Sequence, residues 1–136
     1  MAIRPSTIWQ QQADEQTAEI AAGTLAPDQA YAFTLWPESL RVETDAALAA
    51  FEGELSALAS HEDAEVLAVV KRLVLTLNEI NERHESAGLI GYETGERDEL
   101  CWYIDESLEE SGIDVAALET RHGSERGMLI GGWRDW

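Results

Sequence analysis

The chain has 136 residues, 45% of them hydrophobic, and sets 27 Asp and Glu against 9 Lys and Arg, for a net charge of −18. That balance excludes the clustered positive charge needed to hold nucleic acid or an anionic membrane surface, and it favours a basic protein partner or divalent cations. With a single cysteine, Cys101, no intrachain disulfide forms, and no apolar run approaches the roughly 20 residues of a membrane span. The opening MAIRPSTIWQQQ lacks the apolar core of a signal peptide. The expectation is one domain over residues 1–136, in the cytoplasm.

Neither an internal repeat nor a low-complexity linker interrupts the chain. Ser6 is placed to cap a first helix over about 7–22, ended by Gly23, with a thin apolar face of Trp9, Ala13 and Ile20. Residues 31–36, YAFTLW, alternate and are rich in aromatics, which predicts a short strand stopped by Pro37. Thr44 and Asp45 offer the start of a helix over about 45–59, where Leu48, Phe51, Leu55 and Leu58 recur at helical spacing.

Ser60 followed three residues later by Asp63 has the form of a capping box. It opens a helix over about 62–84 in which Val66, Val69, Val70, Leu73, Leu77 and Ile80 make one stripe, widened by Leu67, Val74 and Leu75. A helix this apolar belongs at the centre of the fold. Gly88 and Gly91 mark a loop with LIGY extended; Thr94 then caps a helix over about 95–111, closed by Gly112. Asp114 caps a short helix to about 121, and the tail GMLIGGWRDW is placed as a second strand beside residues 31–36. The predicted fold is mainly α: four to five helices round a central apolar helix, with at most one short two-stranded β element.

The stretch DELCWYIDESLEE, residues 98–110, carries six carboxylates and no base. On a helical wheel with Leu100 at zero, Cys101, Tyr103, Ile104, Ser107, Leu108 and Ser111 share the core-facing arc. Trp102 falls at about 200°, opposite that arc, between Asp98, Asp105 and Glu109 on one side and Glu99, Glu106 and Glu110 on the other. The acids at the C-terminal end oppose the helix dipole and repel one another at i, i+4, each at a cost of about 0.2–1 kcal/mol. Arg121, Arg126 and Arg134 are candidates to offset them, and so is a basic partner. Two arrangements fit the wheel: Trp102 is exposed as a binding anchor, or the first helix or the tail covers it.

Candidate chemistry is sparse. Glu-x-x-Glu pairs occur at 62/65, 79/82, 82/85, 93/96, 96/99 and 106/109, and such pairs on one helix face can share Mg²⁺. Glu79 and Glu82, followed by an acidic helix, resemble the carboxylate pair of all-α nucleotide pyrophosphatases of the MazG type. The Glu-x-x-Asp that this family carries on its next helix is missing, and so are bases to hold a triphosphate. Glu119-x-x-His122 has the spacing of a di-iron ligand pair, but a di-iron site needs two such motifs. His61 and His84 fit helix ends as solvated or capping groups. Cys101 sits among carboxylates that disfavour a thiolate. Asn78 and Asn81 are suited to satisfying loop backbone.

The pattern predicts a non-enzymatic acidic interaction domain with no cofactor and no metal. In size, charge and lack of catalytic groups it resembles the immunity and antitoxin proteins that inhibit toxic nucleases, a likeness of physical class from which no residue role transfers. Trp102 is the expected anchor, and Glu99, Asp105, Glu106 and Glu109 the rim that steers a basic protein. Homo-oligomerisation stays open. The alternatives are a Mg²⁺-dependent all-α nucleotide pyrophosphatase and a generic acidic helical domain whose composition, with 8 Arg against the single Lys71, reflects a high-salt or GC-rich organism.

Overall fold

The computed structural model describes residues 2–123 and 129–136. Its first helix, α1 (Pro5–Ala22), starts at a proline, which loses nothing at a position whose N–H has no intrahelical acceptor. Ser6 is therefore inside the first turn and not the cap; its hydroxyl donates to Asp45 Oδ1 at 2.8 Å. Gly23 ends the helix with φ 78°, and the Gly23 and Thr24 amides reach back to the carbonyls of Ile20 and Glu19. Trp9 and Ala13 bury the thin apolar face, extended by Gln16; Ile20 is only half-buried.

The strand expected over 31–36 is instead a single helical turn, α2 (Ala32–Leu35), preceded by a 3₁₀ turn at Pro27–Gln29. The buried residues there are Ala32 and Trp36, four apart, whereas Tyr31 and Phe33 stay exposed. That is helical spacing, and the apparent alternation carried no burial. Gln16 Oε1 accepts the Ala32 amide at 3.0 Å, so α1 supplies the hydrogen bond that a sheet partner would have given. No strand occurs among the described residues, and Leu129–Gly132 of the tail form turns.

Helix α3 (Glu38–Ser56) begins well before the predicted position. Pro37, read as a strand stop, is its N-cap residue. Leu40, Thr44, Leu48, Phe51 and Leu55 bury one stripe; polar Arg41 and Thr44 at its start hid the pattern. Helix α4 (Asp63–Ser86) buries Val66, Val69, Val70, Leu73, Val74, Leu77 and Ile80 and lies along α3. Leu67 is half-buried, but Leu75 is 43% exposed and widens nothing. Ser60 bonds Glu65, not the α4 backbone, so the capping box does not form.

Helix α5 (Thr94–Glu110) follows a loop pinned by α4, and Glu93, not Thr94, holds its N-cap position. Asn81 Oδ1 accepts the Tyr92 amide at 2.7 Å. Gly91 is required there, because a Cβ would lie 2.1 Å from that same oxygen. Helix α6 (Val115–Arg121) is capped as predicted, with Ala117 N–H donating to Asp114 Oδ1 at 3.0 Å. The end of the tail is held by Asn78, whose amide donates to the Trp133 carbonyl and accepts from the Asp135 N–H.

The nearest backbone neighbours run α4–α3–α1–α5–α6, with α2 against α1. Trp9, fully buried, stacks on Trp36 with centroids 5.9 Å apart, and the aromatic contacts continue through Tyr92 to Trp136. The architecture is mainly helical. No helix among the described residues is long and apolar enough to cross a membrane.

Candidate functional site

Helix α5 follows its wheel closely. Leu100, Tyr103, Ile104, Ser107 and Leu108 are buried, and Trp102 on the opposite face is 67% exposed. Neither α1 nor residues 129–136 of the tail cover it. Both come up beside it instead, leaving the indole where three hollows meet.

Toward α1, a hollow of about 310 Å³ is walled by Ile3, Pro5, Ile8 and Trp102, with Glu99 and Glu106 at its edge. Ile3 and Ile8 are 67% and 38% exposed, so with Trp102 they form an apolar patch. Toward α6, a hollow of about 460 Å³ is lined by Trp102, Asp105, Glu106, Glu109 and Glu119 beside Val115 and Ala116. Toward the tail, about 370 Å³ lies between Arg97, Asp98, Cys101, Asp105 and Arg134.

All five expected residues therefore border one surface. Their roles differ. Glu99 Oε2 accepts the Trp9 indole N–H at 3.0 Å, so this carboxylate also ties α5 to α1 beneath the patch. Glu106 borders both the apolar and the acidic hollow. Ile3 and Ile8 escaped the sequence reading because Ile8, next to the buried Trp9, looks like part of a core face and Ile3 precedes the helix.

Of the arginines expected to offset these acids, Arg121 is engaged away from α5. Arg121 makes a two-pronged pair with Asp63 at the start of α4, at 2.7 and 2.8 Å, and His122 joins it. Arg134 lies over the Trp136 ring, 5.4 Å from its centroid, and lines the tail-side hollow. Arg126 is outside the described residues. His84, expected at a helix end as a solvated or capping group, lies in the last turn of α4 and is buried, 4% exposed, its ring nitrogens on Ser39 Oγ and the Ile80 carbonyl.

Burial pushes the Cys101 thiol up; Asp105 and Asp98 add to that shift, while Arg134 and Arg97 oppose it. A thiolate nucleophile is disfavoured. Glu79 and Glu82 stand exposed on α4. Glu119 is buried while His122 points to Asp63. Among the described residues, no three His, Cys, Asp or Glu side chains are grouped so as to hold a metal ion.

No family model, curated protein or solved structure matches the chain. Function is therefore read from the geometry of this surface.

Proposed function

We propose that the chain is a non-enzymatic binding protein that docks a basic segment of another protein on the Trp102 face, in the manner of an acidic inhibitor. The observation that carries this reading is the exposed indole at the junction of an apolar hollow and an acidic one. Leaving a tryptophan two-thirds exposed forgoes the stabilisation its burial brings, and tryptophans at interface centres recover that on binding. The carboxylates of Asp105, Glu106 and Glu109 steer a cationic partner and reject an anionic one. A nuclease with a basic cleft fits these requirements, the carboxylates standing where phosphates would. One half-buried cysteine and no disulfide suit a reducing, cytoplasmic setting.

The test is co-purification on the immobilised chain at low and high salt. A basic protein is expected to be retained at low salt, released at high salt, and lost when Trp102→Ala removes about 2 kcal/mol or more of binding. Equal retention by wild type and Trp102→Ala, or no basic protein at either salt, sinks the proposal and leaves the acidity a matter of solvation.

A further inference from the structure

A second concavity lies between α1 and α3. It measures about 520 Å³ and shares no residue with the hollows around Trp102. One wall is polar, made by Ser6, Thr7, Gln10 and Gln11; the other is Val42 and Ala46, with the Asp45 carboxylate also in the lining. Val42 is 57% exposed there.

Arg41 lines this groove although only 9% of it is exposed. Its Nε donates to Gln10 Oε1 at 2.9 Å and its Nη1 to the Trp36 carbonyl at 2.5 Å. Both acceptors are neutral, and Nη2 has no acceptor among the described residues. Arg4, Arg72, Arg83 and Arg121, by contrast, each pair with a carboxylate. Asp45, one turn along α3, does not fill the role, because its oxygens are taken by Arg4 Nη1 at 3.1 Å and Ser6 Oγ at 2.8 Å. The groove thus presents a guanidinium already fixed in place by two hydrogen bonds, with donors to spare and an apolar wall beside them. A fixed guanidinium binds a planar anion without the cost of ordering its own side chain.

We propose that this groove is a binding site for a small organic monocarboxylate, its carboxylate on Arg41 Nη2 and its apolar body against Val42 and Ala46. The volume lies within the range of small-molecule sites. A polyphosphate is a poor fit, since Arg41 is the groove's one cation and the whole chain carries −18. A single charge is tolerated because Asp45, the carboxylate in the lining, is paired with Arg4 at 3.1 Å, and more distant carboxylates are screened beyond about 8 Å at physiological salt.

The probe is benzoate, followed by ¹H–¹⁵N spectra of the full chain that include the arginine Nε–H signals, with uncharged benzamide as control. Saturable shifts of Arg41 Nε–H and of the Thr7 and Val42 amides are expected with a Kd of about 1 mM. Benzamide is expected to bind at least tenfold more weakly. Ala46→Phe, which fills the groove from an exposed position, should abolish the benzoate shifts while the rest of the spectrum keeps its dispersion; Val42→Phe serves if that variant misfolds. No saturable shift with benzoate, equal shifts with benzamide, or full binding to a folded groove-filling variant overturns the proposal.

Discussion

Trp9 and Trp102 have the same side chain in opposite circumstances, fully buried in one case and 67% exposed in the other. Truncating the first removes the centre of the aromatic stack and the hydrogen bond to Glu99, so Trp9→Ala should cost about 3–5 kcal/mol. Truncating the second removes little that the folded chain uses, and Trp102→Ala should stay within about 0.5 kcal/mol of wild type. Thermal melts of the two variants check the contrast. Glu96 supplies a second residue-scale prediction. Its residue is 6% exposed and its Oε1 has no partner among the described residues, so burial pushes its carboxyl up, against the pull of the Glu93 and Glu96 backbone amides. The folded state then keeps this proton to a higher pH than the unfolded one. Stability from this group is present below the ordinary carboxyl range and falls as pH rises through the raised value. Glu96→Gln, which removes the charge and keeps an acceptor, should match wild type at low pH and exceed it at neutral pH in denaturant titrations.

At the scale of elements, Leu73 sits midway along α4, 3% exposed, where α4 packs on α3. Leu73→Ala should cost about 2–5 kcal/mol in chemical denaturation. A change near zero would remove α4 from the core. This helix was readable from the chain alone because its valines and leucines repeat at 3.6 without interruption, and the α5 face was readable for the same reason. The region 31–44 was not. Ala32, Trp36, Leu40 and Thr44 repeat every fourth residue, but a small residue, a proline next to the tryptophan and a buried threonine and arginine mask the helical period. What decides that region is tertiary: the Gln16 side chain on the Ala32 amide, Trp36 on Trp9, and the Thr44 hydroxyl on Tyr92 at 2.6 Å. Glu96 lies four residues before Leu100 on the same face, so its burial was legible from the spacing, but a carboxylate at that position does not read as core. The tail was out of reach: its clasp by Asn78 depends on backbone groups that no side-chain pattern reveals.

At the scale of the whole molecule, the charge acts before contact. With −18 distributed over a chain of this size, association with a basic partner should be fast at low ionic strength and slow steeply as salt is added. Glu106→Lys changes a carboxylate that borders both hollows beside Trp102. It should lower the association rate and flatten its salt dependence, with a smaller effect on dissociation. Stopped-flow measurements across a salt series separate the two rates; an unchanged salt slope would place docking elsewhere.

The unequal exposure of the five tryptophans also has an optical consequence. Trp9 and Trp36 are buried, Trp133 and Trp136 are half-buried, and Trp102 alone is mostly in water. Its emission is therefore the reddest of the set and the most open to collisional quenching. The carboxylates around it concentrate caesium ions and repel iodide, so the two quenchers should differ most at this one fluorophore. Any partner that covers the indole would shift its emission to shorter wavelength and shield it from caesium, giving the native chain a built-in gauge of occupancy that needs no added label.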